Sequence, residues 1–177
     1  FVGRFLSKGS KPGYIKRPIS ITRNSRAEFA IADGGKDSIE IFNKDWIYLT
    51  SISGKFNNDS LKPAVALFDS ADNLFVLDAD NGRILKFNNR YELVGQIKEF
   101  DAPADFAIDG LGNLFILNTK KNNVRVYDNN FNFKYCFGSR GFDRAEFDLP
   151  NAIAIYKDRL LAIAGKNNNC IQFFEIL

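Results

Sequence analysis

Apolar and polar residues alternate along most of this chain in short runs. The stretch Pro103–Asp128, "PADFAIDGLGNLFILNTKKNNVRVYD", shows the pattern most clearly. Its β-branched and aromatic runs read as strands, and the Gly, Asn and Asp clusters between them read as tight turns, because those residues tolerate a left-handed backbone. With the segment that follows, four strands are predicted, near residues 104–108, 113–117, 123–128 and 132–137. Nowhere does a 3.6-residue apolar period persist long enough to predict a helix.

The same pattern recurs along the whole chain. Pro18, Pro63, Pro103 and Pro150 each open a similar segment. The copies from Pro63 and Pro103 align without a gap at an offset of 40, so that Asp69 falls on Asp109, Asn73 on Asn113 and Phe87 on Tyr127. The Pro150 copy follows at a further 47, with Ile163 on Ile116 and Ile171 on Val124. The Pro18 copy precedes Pro63 by 45, with Asp33 on Asp78 and Phe42 on Phe87. A fourth apolar–polar alternation ends the first three copies, beginning at Trp46, Tyr91 and Phe131. Four strands repeating at this spacing are the signature of propeller blades.

The chain is therefore expected to be all-β: one β-propeller domain over residues 1–177, made of four-stranded antiparallel blades. The blade units fall near 18–52, 63–97, 103–137 and 150–177. The opening "FVGRFLSKGSKPGYIKRP" aligns with "FKYCFGSRGFDRAEFDLP" from Phe133 at an offset of 132. Residues 1–6 thus read as an outer strand that could complete the last blade. Four blades' worth of sequence leaves two architectures open: a closed four-bladed ring, or part of a six-bladed one with blades missing.

Composition narrows the chemistry. The chain has 177 residues, 45% hydrophobic, with 18 Phe, which is too apolar for disorder. The net charge of +3 does not by itself imply nucleic acid or an anionic membrane. No apolar run is long enough to suggest a membrane span. There is no histidine, which removes Ser-His-Asp and Cys-His catalysis and His-held metals. Cys136 and Cys170 fit neither a disulfide framework nor a metal site, and are expected to be buried free thiols.

The pattern P-x-x-[IF]-A-[IV]-D-x-x-G-N-L-[YF], then N-x-[IV]-x-V-[YF]-D, then an aromatic strand ending F-G-S-x-G, is best seen in residues 103–150. It resembles the NHL-repeat family of β-propellers, and the resemblance covers essentially the whole chain. It implies a scaffold of usually six blades, used in many members as a platform for proteins or RNA. A related branch holds a metal-dependent amidating lyase. Bacterial-type members commonly sit outside the cytoplasm, which points to an extracellular or cell-envelope setting. Attached domains are common in the family.

Each candidate site has a plain structural counterpart. Gly110-Leu111-Gly112 lacks the following helix that a phosphate loop needs. "DADNG" at 78–82 lacks the Gly and Glu of a calcium loop. Trp46, Tyr91 and Phe131 recur at one repeat position, as packing residues do. What remains is a mildly basic set of inter-blade and second-to-third-strand loops. Lys8, Lys11, Tyr14, Lys16 and Arg17 cluster in one such loop, and Lys120 and Lys121 form a pair in another. These seven are the candidate binding residues; no catalytic residue, metal ligand or cofactor is expected. The function implied is non-catalytic protein or peptide binding through that face. RNA binding by the same residues is the alternative, since cations beside an aromatic suit single strands. A lyase-like enzyme is disfavoured by the missing histidines.

Overall fold

The computed structural model describes residues 6–176. The first blade consists of β1 (Pro18–Arg23), β2 (Phe29–Asp33), β3 (Ser38–Phe42) and β4 (Tyr48–Ser53), hydrogen-bonded in chain order. A small hairpin, β5 (Lys55–Phe56) and β6 (Asp59–Ser60), leads to the second blade. That blade is β7 (Pro63–Phe68), β8 (Leu74–Asp78), β9 (Arg83–Phe87) and β10 (Leu93–Ile97). The third is β11 (Pro103–Ile108), β12 (Leu114–Asn118), β13 (Asn123–Tyr127) and β14 (Phe133–Phe137). Two short parallel strands follow, β15 (Ser139–Arg140) and β16 (Glu146–Phe147). Among the described residues the fourth blade has three strands, β17 (Pro150–Tyr156), β18 (Leu160–Gly165) and β19 (Cys170–Glu175). The predicted four-strand repeat is thus present, and in the third copy its strands fall within a residue or so of the positions read from the sequence. The expected outer strand at 1–6 falls on residues 1–5, outside the described residues, and on Leu6, which lies in a loop.

Two compact units divide the chain: Phe1–Asn81 with Leu85–Gly95, and Gly82–Ile84 with Gln96–Leu177. In the first, β1 lies beside β7, and the two blades share one core. The first blade contributes Ala30, Ala32, Ile39 and Ile41 from the side we term its back face. The second contributes Ala66, Val76 and Leu85 from its front face. All seven are fully buried. The second unit repeats the arrangement with β11 beside β17. There Phe115, Leu117, Val124 and Val126 of the third blade meet Ile153, Leu161 and Ile163 of the fourth. Alternation along each strand sends one set of side chains to each face, so every interior blade needs two apolar faces.

The turns rest on a repeated side-chain device. Asp69 accepts the backbone N–H groups of Ala71 (2.9 Å) and Asn73 (2.8 Å), and its other oxygen accepts the Asn73 side-chain amide (2.8 Å). Asp109 does the same with Leu111 and Asn113. Asn43, Asn88 and Asp128 close the third-to-fourth-strand turns in the same way. A carboxylate or amide two residues before the needed N–H mimics a backbone turn, which explains these residue types at these positions. The Asn-led and Asp-led third turns place Trp46, Tyr91 and Phe131 at left-handed φ values of 61°, 66° and 67°. All three rings are half-buried. Trp46 stacks on Phe29 at 4.6 Å, and the Tyr91 hydroxyl donates to Glu28 across to the first blade at 2.7 Å. They are packing residues and form no exposed aromatic platform.

The cysteines depart from expectation. Both are exposed. Cys136 lies on β14, the outermost strand of its blade, and Cys170 begins β19, which has no fourth strand beside it among the described residues. Periodicity identifies a strand residue but does not say whether a neighbour covers it.

Removing the Asp109 carboxylate strips two backbone N–H groups and a buried amide of their acceptor. Asp109→Ala is expected to cost about 1–3 kcal/mol, with Asp109→Asn losing less because it keeps an acceptor; thermal unfolding followed by circular dichroism checks this. Asp33 tests acid stability. Burial works to raise its pKa, but N–H groups of Lys16 (2.6 Å), Arg17 (2.9 Å) and Gly35 (2.9 Å) outweigh it and hold the carboxyl below its ordinary value. A depressed folded pKa stabilises the fold above the unfolded carboxylate pKa, and that stability is lost as pH falls through the folded value. Denaturant unfolding between about pH 5 and pH 2 should therefore show stability falling, and falling less steeply in Asp33→Asn.

Candidate functional site

One concavity lies in the first unit. It is a cleft of about 610 Å³ between the loop Leu6–Arg17 and the front face of the first blade. Ile19, Ile21 and Trp46 floor it, Ile15 closes one side, and Lys8 and Lys16 stand at its rim.

The loop that forms one wall is firmly built. Lys8 bridges Ile15 in parallel, and Gly9 N–H donates to the Ile15 carbonyl at 2.9 Å. The Lys36 ammonium reaches up from the blade to the carbonyls of Tyr14 (3.0 Å) and Lys11 (3.3 Å) while pairing with the buried Glu40 at 3.0 Å. Asp33 holds the loop's exit through the Lys16 and Arg17 amides, and the Arg17 guanidinium donates to the Gly34 carbonyl at 2.9 Å. The linker before the fourth blade is the same structure at an offset of 132. Arg140 bridges Phe147 in parallel, Gly141 N–H donates to the Phe147 carbonyl at 3.1 Å, and Gln172 fastens the linker through Ala145 and Glu146.

Two differences between these copies define the cleft. The first is exposure. The third residue after the opening proline is 0% exposed as Ala66, 1% as Phe106 and 7% as Ile153, but 56% exposed as Ile21. The second is charge. Arg140 pairs with Asp148 at 3.8 Å, whereas the equivalent positions before the first blade are both cations, Lys8 and Lys16.

The sequence-derived candidates fall into two groups. Lys8, Lys11, Tyr14, Lys16 and Arg17 are exposed and share the one loop, with Lys8 and Lys16 on the cleft. Lys120 and Lys121 belong to the second unit, where Lys120 pairs with Asp101 at 3.1 Å. The apolar floor was missed from sequence. The repeat alignment carries no signal for it, since Ile21 looks identical in kind to its buried counterparts until its neighbour is known.

Other polar clusters are committed to structure. Glu28 accepts from Asn24, Arg26 and Tyr91, each at 2.7 Å. Burial tends to raise its pKa, but these donors hold it lowered, while burial and the Glu28 charge push the Tyr91 hydroxyl well up. Asp105, raised by burial, spends its oxygens on the N–H groups of Ile153 (3.0 Å) and Phe106 (2.9 Å). Ser20 makes the corresponding bond to Ala66 N–H at 3.3 Å. Among the described residues no group of three or more His, Cys, Asp or Glu side chains is placed to hold a metal ion, and no helix is long and apolar enough to cross a membrane.

Comparison with known proteins bears on the fold. No family model and no curated protein matches the chain. Solved structures do. A streptogramin B lyase matches with a TM-score of 0.76 at 12% identity, covering 97% of this chain and 56% of that one. Virginiamycin B lyase from Staphylococcus aureus matches at 0.74 and 14%, covering 90% and 55%. Hydrazine synthase from Kuenenia stuttgartiensis matches at 0.73 and 14%, covering 99% and 49%. The chain thus spans about half the length of the solved structures it matches. Identities this low speak to fold alone, and the fold they share with this chain is the β-propeller.

Proposed function

We propose that this chain is a non-catalytic binding platform on an NHL-type β-propeller scaffold, and that a protein or peptide docks in the cleft on the front face of the first blade. One observation carries the reading: a position buried in the other three copies is open in this one, above a floor of Ile19, Ile21 and Trp46. Exposed apolar surface beside a firmly held loop favours a protein partner over a small solute. The cationic rim, where the other linker has an ion pair, selects for carboxylates on that partner. The absence of histidine supports the non-catalytic reading, since a virginiamycin B lyase variant lacking one histidine is described as catalytically inactive.

The Lys8–Lys16 rim also supports a second reading, single-stranded RNA. It predicts binding of a fluorescent oligouridine that weakens steeply between 50 and 200 mM salt, because each phosphate contact releases counterions.

The test is capture from the source cell with immobilised chain. Partner recovery is expected to fall at least about tenfold with Ile21→Glu, to fall with Lys8→Glu/Lys16→Glu, and to be unchanged with Lys120→Glu/Lys121→Glu. Recovery that survives Ile21→Glu would overturn the cleft as the site. Salt-sensitive oligouridine binding lost in the Lys8/Lys16 variant, with no protein recovered, would favour the RNA reading.

A further inference from the structure

A second groove lies within the first unit, where the first and second blades meet. It holds about 300 Å³. The outermost strand of the first blade, β4, lines it with Thr50, Ser51 and Ser53, all exposed. Phe87 and Tyr91 of the second blade stand opposite, and Phe56 packs edge-on to Phe87 at 5.6 Å. Arg90 completes the lining. Both walls belong to consecutive blades, whose inner strands β1 and β7 lie side by side. No further blade comes between them, so the groove belongs to these two blades alone. Its parts are held in place. The Tyr91 hydroxyl donates to Glu28 at 2.7 Å, which fixes the ring as a wall. Arg90 sits on the turn closed by Asn88, its N–H donating to Asn88 Oδ1 at 2.9 Å. The Arg90 guanidinium makes no ion pair among the described residues.

The repeat does not require this lining. At an offset of 85, Tyr135 and Phe137 stand where the first blade has Thr50 and Ile52, and at an offset of 87 Phe174 repeats Phe87. Tyr135, Phe137 and Phe174 line a groove of about 270 Å³ between the third and fourth blades, and its one charged residue is Glu175. Rings and an acid there are replaced here by hydroxyls and a cation. That change selects a ligand. Hydroxyls, together with the edge backbone groups of β4, both donate and accept, as ring hydroxyls do. An aromatic wall takes the C–H face of a saturated ring by dispersion. A guanidinium without an ion pair matches a carboxylate in a two-bond fork. The volume is at the low end for ligand sites and suits one six-membered ring. We propose that this groove binds a single hexuronate, a sugar ring bearing one carboxylate. Arg90 takes the carboxylate, Thr50 and the β4 edge take ring hydroxyls, and Phe87 and Tyr91 take the C–H face. This site is separate from the first-blade cleft and does not rest on it.

The test is a titration of the isotope-labelled chain with glucuronate and with galacturonate, read from amide chemical shifts. Saturable shifts are expected at Thr50, Ser51 and Tyr91, with a dissociation constant of about 1–10 mM. Arg90→Gln should weaken binding at least about tenfold by removing the carboxylate partner. Thr50→Tyr, which installs the third blade's residue, should do the same by filling the groove. Both positions are exposed, so thermal unfolding should be unchanged in each. Glucose, which lacks the carboxylate, and benzoate, which lacks the hydroxyls, should each bind at least about tenfold more weakly than the uronates. Ile21→Glu, which alters only the first-blade cleft, should leave uronate binding as it was. Absence of saturable shifts up to about 50 mM of either uronate would overturn the site. So would uronate binding that survives both Arg90→Gln and Thr50→Tyr. Benzoate or glucose binding as tightly as the uronates would overturn the hexuronate as ligand.

Discussion

The structure depends on one recurring contact, the back face of a blade against the front face of the next. A four-stranded sheet of five- and six-residue strands has two apolar faces and cannot cover either alone. Ala30, Ala32, Ile39 and Ile41 become fully buried only because Ala66, Val76 and Leu85 lie on them. Burying an Ile or Phe side chain completely is worth about 1.5–3 kcal/mol relative to leaving it in water. Ile171 and Phe173 forgo most of that gain, as does Ile21. These three side chains therefore leave much of their apolar surface in water. The candidate site arises from this imbalance at Ile21.

Around that contact, polar residues act mainly as fasteners. Asp33, Lys36 and Gln172 hold the linkers onto their blades. Asp69, Asp109 and Asp128 shape turns. Ser20 and Asp105 tie one inner strand to the next by accepting an amide proton. Polar groups spent this way are not available for chemistry. That is why the Asp- and Asn-rich sequence, which superficially resembles phosphate and calcium loops, folds into scaffold. The exceptions are the lysines at 8 and 16, which stand where the fourth blade's linker has an ion pair.

Much of this was legible in the residues alone. The repeat registers at 40, 45, 47 and 132 predicted the strands, the turns and the likeness of the two linkers, because strand period and turn chemistry are local properties. The structural role of "DGLGNLFILNTKKNNVRVYD" also followed, since a turn that recurs with different residues need not be a site. The expectation for the cysteines failed for an instructive reason. Cys136 and Cys170 sit in strands as read, but on strands that no further strand covers.

The sequence by itself determined the element order, the residue that turns each corner and which side chains share a face. Those depend on neighbours a few residues away. Only the tertiary structure decided which faces are covered. Ile21 and Ile153 are the same residue type at the same repeat position, yet one is open and the other buried. Burial is a property of what lies on the other side of the sheet, which no local pattern encodes. The candidate site is therefore found at a departure from the repeat, where Ile21 is exposed and its counterparts are buried.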